Sequence, residues 1–102
     1  MSRKERMTHV LHVQFNPLVL HVDNESPHHQ VPIGAETHFK ITLISTAFET
    51  LSRVARHRLV NNTLLNEFEQ GLHALSLHLY TPTEWSDRGE DVAASPACRG
   101  GE

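Results

Sequence analysis

One cysteine, Cys98, is all the chain carries, so no internal disulfide framework can staple its fold. Long apolar stretches are also missing. Runs such as Leu18-Val19-Leu20 and Leu43-Ile44 fall far short of the ~20 residues that span a bilayer, and no membrane association is expected. Behind Met1-Ser2-Arg3-Lys4-Glu5-Arg6 there is no apolar h-region, so no secretory signal is read and a cytoplasmic setting is expected. Catalytic signatures are absent as well: no Gly-x-Ser-x-Gly, no phosphate-binding glycine loop, no His-Glu-x-x-His and no Cys-x-x-Cys. The carboxylates are scattered, and Cys98 falls in an expected tail, where a nucleophile would be poorly positioned. The chain is therefore expected to act by binding partners and not as an enzyme. A formal charge of −3 argues further against indiscriminate affinity for nucleic acid, which needs a basic surface.

What the sequence does have is histidine, nine in 102 residues. With an unperturbed imidazole pKa of about 6.5, full protonation would move the net charge from −3 to +6. The 38% apolar share suffices for one domain with a modest core. Met7, Val10, Leu11 and Phe15 predict an amphipathic helix over 1–14 that Pro17 stops. Leu18, Leu20 and Val22 then alternate with Val19, His21 and Asp23, a strand with one buried face. Pro27, Pro32 and Gly34 mark a loop. A second strand is expected over 38–45, with Phe39, Ile41 and Leu43 inward. A helix follows over 51–70, with His57, Val60, Leu64 and Phe68 on one face and Gly71 as its stop. Ala74–Tyr80 reads as a third strand with Leu75, Leu77 and Leu79 inward. Thr81-Pro82-Thr83-Glu84 has the form of a helix start, Thr81 as N-cap, ahead of Trp85, which should anchor the last helix. The order α-β-β-α-β-α describes an α+β domain over 1–86. Its three-stranded sheet has helices packed on one face, and the helix between the last two strands suits a parallel crossover. Residues 87–102, rich in Gly, Ser, Ala, Pro and charge, are expected to form a disordered tail.

The histidines differ in promise. His57 shares the apolar helix face and reads as a satisfied, half-buried side chain. His21 and His78 fall on the polar strand faces; His9 and His12 face water; His38 opens a strand, where capping or packing is expected. His73 has the parity of Leu75, Leu77 and Leu79 but stands at the mouth of the strand, held by the sheet and able to reach past its edge. His28 and His29 lie in the proline-rich loop that could approach that edge, and two or three neutral imidazoles together would suit zinc or iron.

Several ordered motifs then coincide. Asn24-Glu25-Ser26, His29, Val31-Pro32, Gly34, Glu36-Thr37-His38-Phe39-Lys40, Arg56-His57-Arg58-Leu59-Val60, His73-Ala74-Leu75-Ser76 and Thr81-Pro82 with Glu84-Trp85 closely resemble the BolA family. The tail Ser95-Pro96-Ala97-Cys98-Arg99-Gly100 is similar to its bacterial and mitochondrial branch. The resemblance covers nearly the whole chain and implies a fold like class II KH domains. It also implies a heterodimer with a monothiol glutaredoxin, the pair sharing a [2Fe–2S] cluster for iron–sulfur trafficking or iron and redox sensing. By the same resemblance His73 is a cluster ligand, and the loop position matching the second ligand is His29, with His28 the less favoured neighbour. A glutaredoxin cysteine and a glutathione thiolate would complete the set. The family also contains DNA-binding transcriptional regulators of stress response and cell morphology. For that alternative the candidate phosphate contacts are Lys40, Arg53, Arg56 and Arg58, although no Gly-x-x-Gly loop is present to clamp a nucleic-acid backbone. Alone, the chain is expected to be a monomer or a weak homodimer paired through its exposed sheet edge.

Overall fold

Ser2 begins the first helix. Its hydroxyl accepts the Glu5 N–H while the Glu5 carboxylate accepts the Ser2 N–H, a capping box that opens α1 (Arg3–Phe15) in a computed structural model describing residues 1–26 and 35–89. Met7, Leu11 and Phe15, one per turn, form its buried stripe, with Val10 at the exposed margin. Asn16 ends the helix in the left-handed region (φ 44°), its N–H returning to the His12 carbonyl just before Pro17.

Three strands follow, β1 (Val19–Asn24), β2 (His38–Ile44) and β3 (Ala74–Tyr80), in the order β1-β2-β3. β1 and β2 pair antiparallel, with Val22 opposite Ile41. β2 and β3 pair parallel, with His38 opposite Ala74 and Ile44 opposite Tyr80. The parallel crossover expected from the sequence is therefore present. Alternation decides the faces: Phe39, Ile41 and Leu43 go inward with Val22 and Leu79. Leu18 does not join them. It precedes the first ladder pair, Val19 with Ile44, and stays exposed.

The long crossover helix breaks in two. α2 (Arg53–Thr63), capped by Ser52, stops after Asn61-Asn62-Thr63, three residues with poor helix propensity. The Thr63 hydroxyl donates to the Leu59 carbonyl, and Leu64 leaves helical geometry (φ −101°, ψ 15°) before α3 (Leu65–Glu69) resumes. Val60 and Leu64 from this segment pack with Met7, Leu11 and Phe15 onto the Phe39/Ile41/Leu43 face, so α1 and α2 cover one side of the sheet as the sequence implies. Each such fully buried aliphatic side chain contributes about 1.5–3 kcal/mol. His57, placed by the sequence on that apolar face, is instead exposed, and the buried position belongs to Arg56.

Gly71 closes α3 through a Schellman motif. The Leu72 N–H bonds the Glu67 carbonyl and the Gly71 N–H the Phe68 carbonyl, with Gly71 at φ 116°, where a side chain is strained. β3 starts two residues after Leu72. After it, Thr81 and Glu84 form the second capping box, and Pro82 opens α4 (Pro82–Asp87). Trp85 packs on Tyr80 (ring centres 5.8 Å apart) and Ile44 in a small cluster separate from the main core. Ile44 and Tyr80 have the parity of Thr42 and His78, so α4 closes one end of the face that α1 and α2 leave uncovered. The expected tail beyond residue 89, with Cys98, lies outside the described residues.

Candidate functional site at the mouth of the parallel strands

Because β2 and β3 run parallel, their N-terminal ends lie side by side. The Thr37 carbonyl accepts the N–H of both His73 (2.9 Å) and Ala74 (3.1 Å), which fixes His73 as the residue just outside the sheet. Its side chain is exposed. Its ring meets that of His38 edge-on, centres 5.7 Å apart and planes at 81°. His38 is half-buried, with Nδ1 2.8 Å from the Thr37 hydroxyl. Two imidazoles thus stand together, both tied to Thr37. On the His38 side is a depression of about 250 Å³ lined by Glu25, His38, Phe39, Ala74, Leu75 and Ser76.

Both stems of the β1–β2 loop are fastened at this same end. Buried Ser26 is the hub: its hydroxyl oxygen accepts the Thr37 N–H (2.9 Å) and the His38 N–H (3.1 Å), and its own N–H donates to the Asn24 side chain. The Asn24 amide in turn donates to the Ala35 carbonyl, and the Glu25 N–H to the His38 carbonyl. These bonds account for the Asn24-Glu25-Ser26 motif. His28 and His29 fall in residues 27–34, outside the described residues.

A second fastening comes from α1. The Arg3 and Lys4 N–H groups donate to the Glu36 carboxylate, and the Arg3 guanidinium donates to the Glu36 carbonyl, the Gln70 carbonyl (2.7 Å) and the Glu67 carboxylate (3.0 Å). One side chain therefore joins the stem that leads into Thr37 with the turn that leads into His73. Arg6 donates to both Glu67 oxygens, and its hydrogen bonds, seconded by those of Arg3, hold the Glu67 carboxyl below the usual carboxylate range against the opposing effect of burial.

Chemically, neutral imidazoles are good ligands for zinc, copper and iron. Among the described residues, however, no group of three or more His, Cys, Asp or Glu is placed to hold a metal ion. What the strand mouth brings together is two imidazoles, His38 and His73.

Comparison with known proteins bears on which family builds such a strand mouth. The family described as BolA-like protein matches residues 11–84. The chain belongs to the BolA family. It is 49% identical to the DNA-binding transcriptional regulator BolA of Vibrio cholerae, over 86% of this chain and 83% of that protein. To the protein of the same name from Escherichia coli K12 it is 43% identical, over 98% and 95%. The structure of the BolA domain of SufE1 from Arabidopsis thaliana superposes with a TM-score of 0.77 at 39% identity, covering 82% of this chain and 96% of that one. The α+β BolA fold expected from the sequence is thereby shown.

On this BolA scaffold Arg53 and Arg56 line one depression beside β3, but the four basic residues do not form one exposed patch. Arg56, a phosphate contact in the sequence reading, is 6% exposed, and its guanidinium donates to the Leu51 and Leu79 carbonyls and, through two nitrogens, to Glu84. That reading is corrected: with those donors engaged inside the fold, Arg56 is a structural residue. Arg53 and Arg58 are exposed on α2. Lys40, of opposite parity to Phe39 and Ile41, projects from the other side of the sheet. Sequence reasoning read His38 as a capping or packing residue without its pairing with His73, and it passed over Arg3. The parallel register would have found the first, since His38 beside Ala74 makes residue 73 its neighbour; nothing local marks Arg3, whose partners are 33 to 67 positions away.

Proposed function

We propose that this chain is the partner of a monothiol glutaredoxin and shares a [2Fe–2S] cluster with it. It would contribute His73 and a loop histidine, His29 by resemblance, with His28 the alternative. The observation that carries this reading is the placement of His73, exposed and fastened by its backbone to Thr37 at the sheet end where both loop stems are tied. The donor chemistry fits half a site: such clusters take four thiolates, or two thiolates with two histidines on one iron. Imidazoles come from this side, and a glutaredoxin cysteine and a glutathione thiolate complete the set. When bound, the cluster supplies redox and transfer chemistry. This chain's part is to present the His73 imidazole from a sheet end whose backbone is held by Thr37. Co-expression with a monothiol glutaredoxin tests it: a heterodimer carrying visible cluster absorbance is expected, and failure of the two chains to associate overturns the reading.

A second reading is favoured by the names of the Vibrio cholerae and Escherichia coli relatives, that the chain binds DNA as a transcriptional regulator. On this fold the exposed candidates are Arg53 and Arg58, with Lys40 on the far side of the sheet. If they touch phosphates, Arg53→Ala and Arg58→Ala each lower the slope of binding against salt by about 1. Affinity with unchanged slopes in both variants removes them from the interface.

A further inference from the structure

The two edges of the sheet are not equally open. Side chains of α2 reach over β3: Arg56 donates to the Leu79 carbonyl at 3.2 Å, and His57 Nε2 lies 3.4 Å from the Leu77 carbonyl. At the other edge the Glu25 N–H bonds the His38 carbonyl, so along β1 the peptide groups of Asp23, His21 and Val19 face β2. Those of Leu20, Val22 and Asn24 point outward, and among the described residues no hydrogen bond reaches them from outside the sheet. We propose that two copies of this chain pair antiparallel through β1, about a two-fold axis at Val22, to form one six-stranded sheet. The contact lies on the edge away from β3 and does not use His73, so it stands apart from the shared-cluster reading.

Charge sets the register. His21 and Asp23 have opposite parity to the buried Val22, and both are exposed on the face that α1 and α2 leave uncovered. Among the described residues neither side chain makes a hydrogen bond or an ion pair. With the axis at Val22, Val22 meets its own copy and Leu20 meets Asn24 of the second copy as hydrogen-bonded pairs. His21 then stands directly opposite Asp23 of the second copy, twice, in the positions where strand Cα atoms are only about 4.5 Å apart. Moving the axis to His21 sets two imidazoles against each other, and moving it to Asp23 opposes two carboxylates. One register is therefore self-complementary, as a two-fold contact requires. An edge this short buries far less than the roughly 800 Å² per partner of a standard interface, so the dimer is weak.

The test is sedimentation of the whole chain from micromolar to millimolar concentration, with amide hydrogen exchange at both ends of that range. A monomer–dimer equilibrium is expected. The Leu20, Val22 and Asn24 N–H groups should gain protection in the dimer, and those of Leu75, Leu77 and Leu79 should not change. His21→Glu should weaken the dimer about 2- to 30-fold through the loss of two cross-strand pairs. His21→Lys, which keeps a cation opposite Asp23, should bind at least as tightly as the parent. His21 is exposed, and thermal melting confirms that both variants fold. A chain that stays monomeric at millimolar concentration overturns the proposal, as does a dimer whose protection falls on β3 or whose strength is indifferent to charge at position 21. None of these outcomes bears on the shared cluster, whose own test is assembly with glutaredoxin.

Discussion

Replacing Arg56 by Ala removes a buried polar hub that ties α2 to β3 and α4. The guanidinium makes four hydrogen bonds: Nε to the Leu51 carbonyl at 3.0 Å, Nη1 to the Leu79 carbonyl at 3.2 Å and to Glu84 at 2.7 Å, and Nη2 to Glu84 at 3.0 Å. The Glu84 side chain is 45% exposed, so water takes over that carboxylate and the ion pair itself contributes under about 1 kcal/mol. The two carbonyls fare worse, each losing a donor in a poorly solvated position at about 1 kcal/mol. The guanidinium also lies over the Phe48 ring, 5.7 Å from its centre, and loss of that stem and cation–π contact costs about 1 kcal/mol more. Together these give about 3 kcal/mol, or a Tm drop of about 12–24 °C for a domain this size. Thermal and urea unfolding followed by circular dichroism measure it. Glu84→Gln should cost much less, because glutamine also serves in a capping box. A folded Arg56→Ala protein melting within about 4 °C of the parent would refute the structural assignment and return Arg56 to the surface residues available for nucleic acid.

Trp85→Ala should lose about 3–4 kcal/mol by emptying the Tyr80/Ile44 cluster, visible in the same melts; an unchanged Tm would show that α4 is not anchored there. Gly71→Ala forces a side chain into φ 116° and should cost about 1–2 kcal/mol. Near-parental stability would mean that the turn into His73 tolerates another backbone conformation. Glu67 gives a pH signature. Its carboxyl is held low in the folded chain by Arg6 and Arg3, so it binds protons less readily folded than unfolded. The stability this provides is complete above the unfolded pKa of about 4.3 and is lost as pH falls through the lower folded value. Melts from neutral to acid pH should therefore show a steeper decline in the parent than in Glu67→Gln, and parallel profiles would contradict the ion-pair account.

Features set by neighbours along the chain were legible in the sequence. Thr81 and Glu84 lie three residues apart and Pro82 between them suits only a helix start, so that cap was readable, as were the Gly71 stop and the inward parity of Phe39, Ile41 and Leu43. Features set by distant partners were not. Arg56 and His57 differ by one step of 100° around α2, and which one is buried depends on Glu84, 28 residues on, and on the Leu79 carbonyl. The break at Leu64 was hidden because Val60, Leu64 and Phe68 keep helical spacing across it. At the site, His73 was legible as a strand-mouth histidine. Its pairing with His38 depends on the β2–β3 register, and the Arg3 clamp on a tertiary contact with no local signature.

The most direct test of the central claim is visible circular dichroism of the chain co-expressed with a monothiol glutaredoxin, comparing the parent with His73→Ala. Because His73 is exposed, the variant should fold and melt within about 0.5 kcal/mol of the parent. The account predicts a cluster spectrum distinct from that of glutaredoxin alone, and its loss or alteration in His73→Ala. A heterodimer spectrum indifferent to His73 would contradict it.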